Sequence, residues 1–308
     1  MDFSARSAPS PARPAADAIW LGRRWPGGRA TATYYRTREQ VFAVLADVLA
    51  DEMTRGRRVL LGVDFALGYP AGFARAAGLG GRGPAWRRTW RYLNRNIEDG
   101  PDNANNRFAV AAALNARCAT RSEKATDRSK NSAGGGGPFW GCPPGGAGAW
   151  LSARRDGVDS PLPRRRLVEQ CVPSAHEVWK LYTTGSVGSQ TLLGLARLEK
   201  LRGHPGWQDR IYVWPFDRGF GPTPMPDDQP GVVVAEVYPS LVNGRADALL
   251  TARKNVTIRD QAQVLALAEH FAELDRAGRL TRLFDTPADL SPADAQRCVR
   301  EEGWILGV

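Results

Sequence analysis

The hydrophobic pattern of residues 1–66 predicts three short strands, a helix and a fourth strand. The runs "MDFSA", "DAIWLG" and "ATATYYRT" contain β-branched and aromatic residues and are separated by proline and glycine turn signals. In "TREQVFAVLADVLADEM" the apolar residues recur at helical spacing, and Thr37 with Gln40 predicts an N-cap. The apolar run "VLLGV" follows and ends at Asp64. We expect a right-handed crossover that leaves this last strand parallel to its partner.

The segment 67–209 breaks this alternation, and we interpret it as a helical and loop insertion. Helices are predicted to begin near residues 103–106, to span "SAHEVWKLY", and to follow the Gly/Ser turn "TTGSVGSQ". The polar stretch near 119–137 ends in four glycines and offers nothing to bury, so we expect it to be mobile. The segment is too long for an ordinary connection between two elements.

Residues 210–308 return to α/β alternation and are expected to form the second part of the core. "RIYVWPF" and "GVVVAEVYPSLV" predict strands, and "TIRDQAQVLALAEHFAELDRAG" predicts a long helix with one apolar face. The tail "CVREEGWILGV" is expected to dock as a final segment. The whole pattern predicts an α/β fold, with a mixed sheet flanked by helices and a large insertion in the middle.

Composition excludes some classes of protein and leaves one question open. No apolar run approaches the roughly 20 residues that span a bilayer, and no secretory signal is seen, so we expect a cytoplasmic protein. The 4 cysteines and 3 histidines are scattered, which disfavours zinc and Cys-His chemistry. The net charge of +10 suits a polyanionic partner such as nucleic acid. An arginine-rich coding bias accounts for the charge equally well.

Four acids occupy positions typical of a metal site. Asp2, Asp64 and Glu236 lie beside or at the ends of predicted strands, and Asp260 lies in the first turn of the long helix. Strand ends converge on one crevice of an α/β sheet, where several carboxylates repel each other unless a cation neutralises them. The natural cation is Mg²⁺ or Mn²⁺, which can activate water for an in-line displacement. Alternatively, Asp64 caps a turn and Asp260 only favours the helix dipole.

The layout resembles the ribonuclease H-like superfamily. An aspartate near the N-terminus, the turn "DFALGYP" after a central strand and the later "AEVYPS" carry the resemblance, which is closest to a group of predicted bacterial nucleases of unknown function. It implies that Asp2, Asp64, Glu236 and Asp260 are catalytic and hold the metal. Only Met1 precedes Asp2, so we expect most of the first strand to be missing or to lie upstream, which would weaken metal binding.

Several polar residues of the insertion are candidates for substrate binding. They are Ser186, Ser189 and Gln190 of the Gly/Ser turn, Asn106 and Arg107 of "DNANNRF", and Arg164 and Arg166 of "PRRRL". Backbone amides before a helix can cradle an anion, amides can contact a base or sugar, and arginines can clamp phosphate. A structural turn, helix capping and a solvated basic turn are the competing interpretations.

Two functions follow from these residues. The first is a metal-dependent phosphoester hydrolase, a nuclease or a nucleotide-directed phosphatase, in which carboxylate-bound divalent cations activate water. The second is a non-catalytic nucleic-acid or nucleotide-binding accessory protein with a decayed RNase H-like site. Binding of Mn²⁺ would separate them.

Overall fold

A sheet of short strands lies at the centre of the computed structural model, which describes residues 1–120, 137–155, 160–207 and 209–308. Strands β1 (Ile19–Arg23) and β2 (Thr31–Tyr35) form an antiparallel pair. Strands β3 (Arg58–Val63), β4 (Ile211–Val213) and β5 (Gly231–Glu236) form a parallel sheet in the order β3-β5-β4. The predicted mixed α/β class is confirmed. The segment near 119–137 falls almost entirely outside the described residues.

The first two residues join the two sheets. Asp2 exchanges backbone hydrogen bonds with Trp20 of β1, at 2.9 and 3.2 Å. On the other side, the Met1 ammonium donates to Gly62 O at 2.6 Å, and Asp64 N donates to Met1 O at 3.2 Å. Met1 and Asp2 therefore occupy a strand position antiparallel to β1 and parallel to β3. The spatial order is β2, β1, Met1–Asp2, β3, β5, β4.

Helices cover both faces of this sheet. They are α1 (Arg38–Thr54), α2 (Phe73–Ala76), α3 (Ala85–Asn96), α4 (Arg107–Thr120), α5 (Leu167–Cys171), α6 (Val187–Arg202), α7 (Asn243–Ala252), α8 (Arg259–Arg276) and α9 (Pro292–Arg297). The predicted capping box of α1 is confirmed, because the Thr37 side chain accepts from Gln40 N and the Gln40 side chain accepts from the Thr37 amide. No helix among the described residues combines the length and the apolar character needed to cross a bilayer.

The sheet separates two hydrophobic cores. The first core contains residues of α1, α3, α4 and α6, and the second contains residues of α7, α8 and the segment 304–306. Strand β5 shows the alternation directly: Val232 and Val234 belong to the first core, whereas Val233 and Ala235 belong to the second. Both faces of this strand are buried, which explains its continuous apolar sequence.

The insertion and the tail pack against the same sheet. Trp86 of α3 and Leu192 of α6 share the first core with Val41 of α1. The tail docks as predicted, since Leu306 N donates to Glu236 O at 2.8 Å. The helix predicted over residues 174–182 is wrong. This stretch is irregular, and Trp140 N and O bond to Trp179 O and Leu181 N, which favours an extended path.

Candidate acidic site

Asp2 and Asp64 lie side by side, Asp64 directly after the end of β3 and Asp2 on the strand position next to it. Their carboxyl groups are within hydrogen-bonding distance of each other, and both residues are half-buried. Asp64 Oδ1 has no contact with solvent and no hydrogen-bond partner among the described residues. An unpartnered carboxylate oxygen costs free energy unless it meets a proton, a water or a cation.

The environment favours the protonated form of this pair. Burial, followed by the charge of Asp64, raises the pKa of Asp2 well above its ordinary value. Burial raises the pKa of Asp64 to about 6. A hydrogen bond with Asp2 and the positive charge of the Met1 ammonium both oppose this shift. Near neutral pH the two carboxyl groups therefore compete to retain one proton.

Asp260 lies close to the pair but is held by a different segment. Its charge contributes to the raised pKa of Asp2, and burial raises its own pKa. Asp260 Oδ2 accepts a hydrogen bond of 2.8 Å from Asp17 N, so one of its oxygens already has a partner. Asp17 itself has a φ of 54°, in the left-handed region. The sequence pattern did not identify this residue, although aspartate is among the few types that tolerate such a conformation.

Strand alternation explains why these three acids share one face. Met1, Phe3, Val63 and Phe65, the neighbours of Asp2 and Asp64, all belong to the first core. The two aspartates therefore project to the opposite face, where α8 begins with Asp260 in its first turn.

Glu236 points to the other face of the sheet. It is paired with Val63, and its neighbours Ala235 and Val237 belong to the second core. Its carboxylate accepts from Arg166 Nη2 at 2.6 Å, from Arg166 Nη1 at 2.8 Å and from Leu67 N at 3.1 Å. Contrary to the expectation of a shared crevice, the structure does not bring Glu236 to the aspartate pair. Alternation along the strand is the physical reason.

Arg166 is a buried structural cation. Its side chain is 2% exposed and pairs with Glu169 as well as with Glu236. Burial alone would lower the pKa of Arg166, but the two glutamates raise it above its ordinary value. The guanidinium binds these two carboxylates and does not face solvent. Arg166 is therefore not placed to bind a phosphate group, as the sequence had led us to expect. The exposed Arg164 pairs with Glu177.

The other candidates form a polar group beside the N-terminal segment. Arg107 donates to Ser189 Oγ at 2.9 Å and to Ser7 Oγ at 2.8 Å, and Gln190 donates to Phe3 O. Burial lowers the pKa of Arg107 to about 10. These contacts fix the path of the chain immediately after Asp2.

Asn106 and Ser186 have local roles. Asn106 accepts from Glu98 N and donates to Asn96 O, both at 3.0 Å, just before α4. Ser186 precedes α6, and its side chain makes no capping hydrogen bond there. The structure does not bring either residue to the aspartate pair.

The acidic site brings two carboxyl groups close together. In the described part of the chain no group of three or more His, Cys, Asp or Glu side chains is arranged to hold a metal ion. Asp2 and Asp64, with their unpartnered oxygen, nevertheless supply the hard oxygen ligands that Mg²⁺ and Mn²⁺ prefer, and such ions usually keep several waters.

The chain matches no protein-family model, no curated protein and no solved structure.

Proposed function

We propose that the protein is a metal-dependent phosphoester hydrolase with an RNase H-like arrangement of its acids. The observation that carries the proposal is the unpartnered Asp64 Oδ1 beside Asp2, on neighbouring strand positions. The strand order further supports it, since an antiparallel pair, the Met1–Asp2 position and parallel strands lie in one sheet. Ligands commonly bind at the carboxyl ends of such parallel strands.

Asp2 and Asp64 would hold Mg²⁺ or Mn²⁺, with Asp260 adding negative charge nearby. A cation bound there supplies a water of lowered pKa and neutralises charge on a phosphoryl oxygen. The chain's own contribution is positional. Asp64 follows a strand buried in the sheet, and the Gln190 and Arg107 contacts fix the peptide that carries Asp2. Binding of the cation requires that the pair release its shared proton.

The net charge of +10 supports a substrate with phosphate groups, either nucleic acid or a nucleotide-like ester, encountered in the cytoplasm. Buried arginines such as Arg166 do not add to this attraction, because glutamates neutralise them. Arg155 and Arg164 share the single partner Glu177, so this cluster keeps a net positive charge that can steer a polyanion.

A non-catalytic accessory protein is the second candidate. It is favoured by the absence of a three-acid group among the described residues and by the pairing of Glu236 with Arg166. Such a protein would bind nucleic acid or a nucleotide without cleaving it.

Titration with Mn²⁺ and a cleavage assay on single- and double-stranded oligonucleotides test the proposal. We expect saturable Mn²⁺ binding, cleavage that stops in EDTA, and loss of both in Asp64→Asn, with activity at least about a hundredfold lower. Asp47→Asn, on the exposed face of α1, is the matched control and should behave as wild type. Oligonucleotide binding without metal binding or cleavage would overturn the hydrolase and favour the accessory protein.

A further inference from the structure

A short ladder of three extended segments lies outside the central sheet. Trp140 is paired in parallel with Ser152 on one side and with Lys180 on the other. Gly141 N donates to Ser152 O at 2.8 Å, and Leu181 N donates to Trp140 O at 2.9 Å. Because paired residues of parallel strands point to the same face, the side chains of Trp140, Ser152 and Lys180 lie together on one face of the ladder.

The opposite face of the ladder is buried. Its residues are at most 3% exposed and belong to the first core; they are Phe139, Leu151, Trp179 and Leu181. Trp150 and Tyr182, each next to one of these residues in the chain, are 40% and 37% exposed. In the described part of the chain, Leu241 is the only other large hydrophobic side chain that is exposed. We call the surface formed by Trp140, Trp150, Lys180 and Tyr182 the aromatic face.

Cationic side chains border the aromatic face. Lys180 Nζ lies 5.8 Å from the centroid of the Trp140 ring. The indole N–H of Trp140 donates to Glu177, whose side chain is 4% exposed. The same carboxylate pairs with Arg155 at 3.2 Å and with Arg164, which is 61% exposed. Three cations therefore share one buried carboxylate around Trp140, and together these four charged side chains carry a net positive charge.

Exposed rings bordered by cations suit the chemistry of a single nucleic-acid strand. Bases stack on aromatic side chains, while cations bind the phosphates of the backbone. In a duplex the bases stack on one another, so their flat faces are not free. Phe108 packs edge-to-face against Tyr182, with ring centroids 6.4 Å apart, and so orients one ring before a base binds. An acidic polypeptide would match the positive charge alone.

We propose that the aromatic face binds single-stranded nucleic acid. Bases stack on Trp150 and Tyr182, and the backbone phosphates bind the three bordering cations. Such contacts depend on neither base sequence nor sugar, so DNA and RNA strands both bind. Where such a strand is also the substrate, the inference rests on the proposed function. Binding itself needs neither the aspartate pair nor a metal, and it is therefore measured in EDTA.

Fluorescence anisotropy with a fluorescein-labelled oligothymidylate of about 12 nucleotides tests the proposal. We expect saturable binding to the full chain in EDTA. The logarithm of the affinity should fall with the logarithm of the salt concentration with a slope of about −2, as three phosphate contacts require. The duplex of the same strand with oligoadenylate should bind at least about tenfold more weakly, because its bases are not free to stack on the two rings.

Two pairs of variants, checked for folding by circular dichroism, separate stacking from charge. Trp150→Ala should weaken binding at least about fivefold through the loss of one stacked base, whereas Leu241→Ala, at the other exposed hydrophobic side chain, should not. Arg164→Gln should reduce the magnitude of the salt slope by about 0.7. Arg245→Gln, which removes an exposed arginine from an ion pair with Glu273, should leave the slope unchanged.

Three results would overturn the proposal. The first is no saturable binding of oligothymidylate to the folded wild type, and the second is an equal effect of each variant and its control. The third is that a labelled peptide of alternating glutamate and phenylalanine binds more tightly than oligothymidylate and loses affinity in Trp150→Ala, which would assign the face to an acidic protein. Saturable strand binding in EDTA without Mn²⁺-dependent cleavage would support the aromatic face and reject the hydrolase.

Discussion

The carboxyl groups of Asp2 and Asp64 lie within hydrogen-bonding distance across two neighbouring strand positions, and Asp64 Oδ1 has no partner among the described residues. Met1 O and Asp64 N, joined at 3.2 Å, hold the two backbones together. The backbone thus enforces a proximity that charge repulsion opposes. The first two predictions follow from this conflict.

Asp64→Asn should stabilise the protein more at pH 8 than at pH 4. Burial raises the pKa of Asp64 from 3.8 to about 6, so its folded state favours the protonated form. Protonated Asp64 therefore stabilises the folded wild type fully below about pH 4, and this stabilisation is lost as the pH rises through about 6. The gap in unfolding free energy between variant and wild type should grow over this window by at most about 3 kcal/mol. Urea titrations at the two pH values measure it, and a constant gap would contradict the shift.

Affinity for Mn²⁺ should rise between pH 5 and pH 8, because the carboxyl pair must lose its proton when the ion binds. Calorimetry in two buffers of different ionisation enthalpy should show about one proton released per ion near pH 6. The Asp64→Asn variant provides the control and should release none. Affinity that does not change with pH would mean that the ion binds elsewhere.

Glu236→Gln should leave Mn²⁺ affinity almost unchanged, because this carboxylate lies on the opposite face and binds Arg166. The glutamine keeps the side-chain shape and still accepts from Leu67 N. Calorimetry on the variant, checked for folding by circular dichroism, measures the effect. Loss of metal binding in a folded Glu236→Gln protein would show that Glu236 is a ligand after all.

Arg166→Met should destabilise the fold by about 3–5 kcal/mol, because it leaves Glu169 and Glu236 buried without their cation. The matched control is Arg164→Met. It removes a solvent-exposed arginine two residues away and should cost about 1 kcal/mol or less. Urea denaturation of both variants makes the comparison. Equal losses of unfolding free energy in the two variants would mean that the buried ion pairs of Arg166 contribute no more to stability than the exposed ion pair of Arg164.

Gly68→Ala should destabilise the protein by about 1–3 kcal/mol through crowding alone. A Cβ at Gly68 would lie 2.3 Å from Glu301 O and 2.6 Å from Glu302 O, so the backbone of the C-terminal segment would have to shift. Gly80→Ala, where a Cβ meets nothing within 4 Å, should be nearly neutral. Thermal melts of the two variants give the answer.

Local signals predicted much of the flanking structure. Helix α1 begins at Arg38 after the Thr37 capping box, and its register follows the apolar spacing. Strands β3 and β5 follow continuous apolar runs, as strands buried on both faces do. These elements could be predicted because propensity, capping and burial all favour the same structure.

The predictions that were wrong concern positions where contacts between distant parts of the chain decide the structure. Over residues 174–182, helical spacing was outweighed by bonds between Trp140 and the backbone of Trp179 and Leu181. Glu236 was grouped with Asp64 because both end strands, but a one-residue difference in strand phase puts them on opposite faces. Its partner Arg166 lies 70 positions away in the chain, beyond the reach of any local pattern.

The contacts of residues 301–306 have a consequence for synthesis on the ribosome. Glu302 accepts from Ala71 N, 231 positions earlier, and Glu301 accepts from Gly72 N, while Leu306 N bonds to Glu236 O. Translation proceeds at about 5–20 residues per second, so these partners are synthesised on the order of 10–50 s after the turn that follows β3. The turn that follows Asp64 therefore reaches its final form only after residues 301 and 302 have been synthesised.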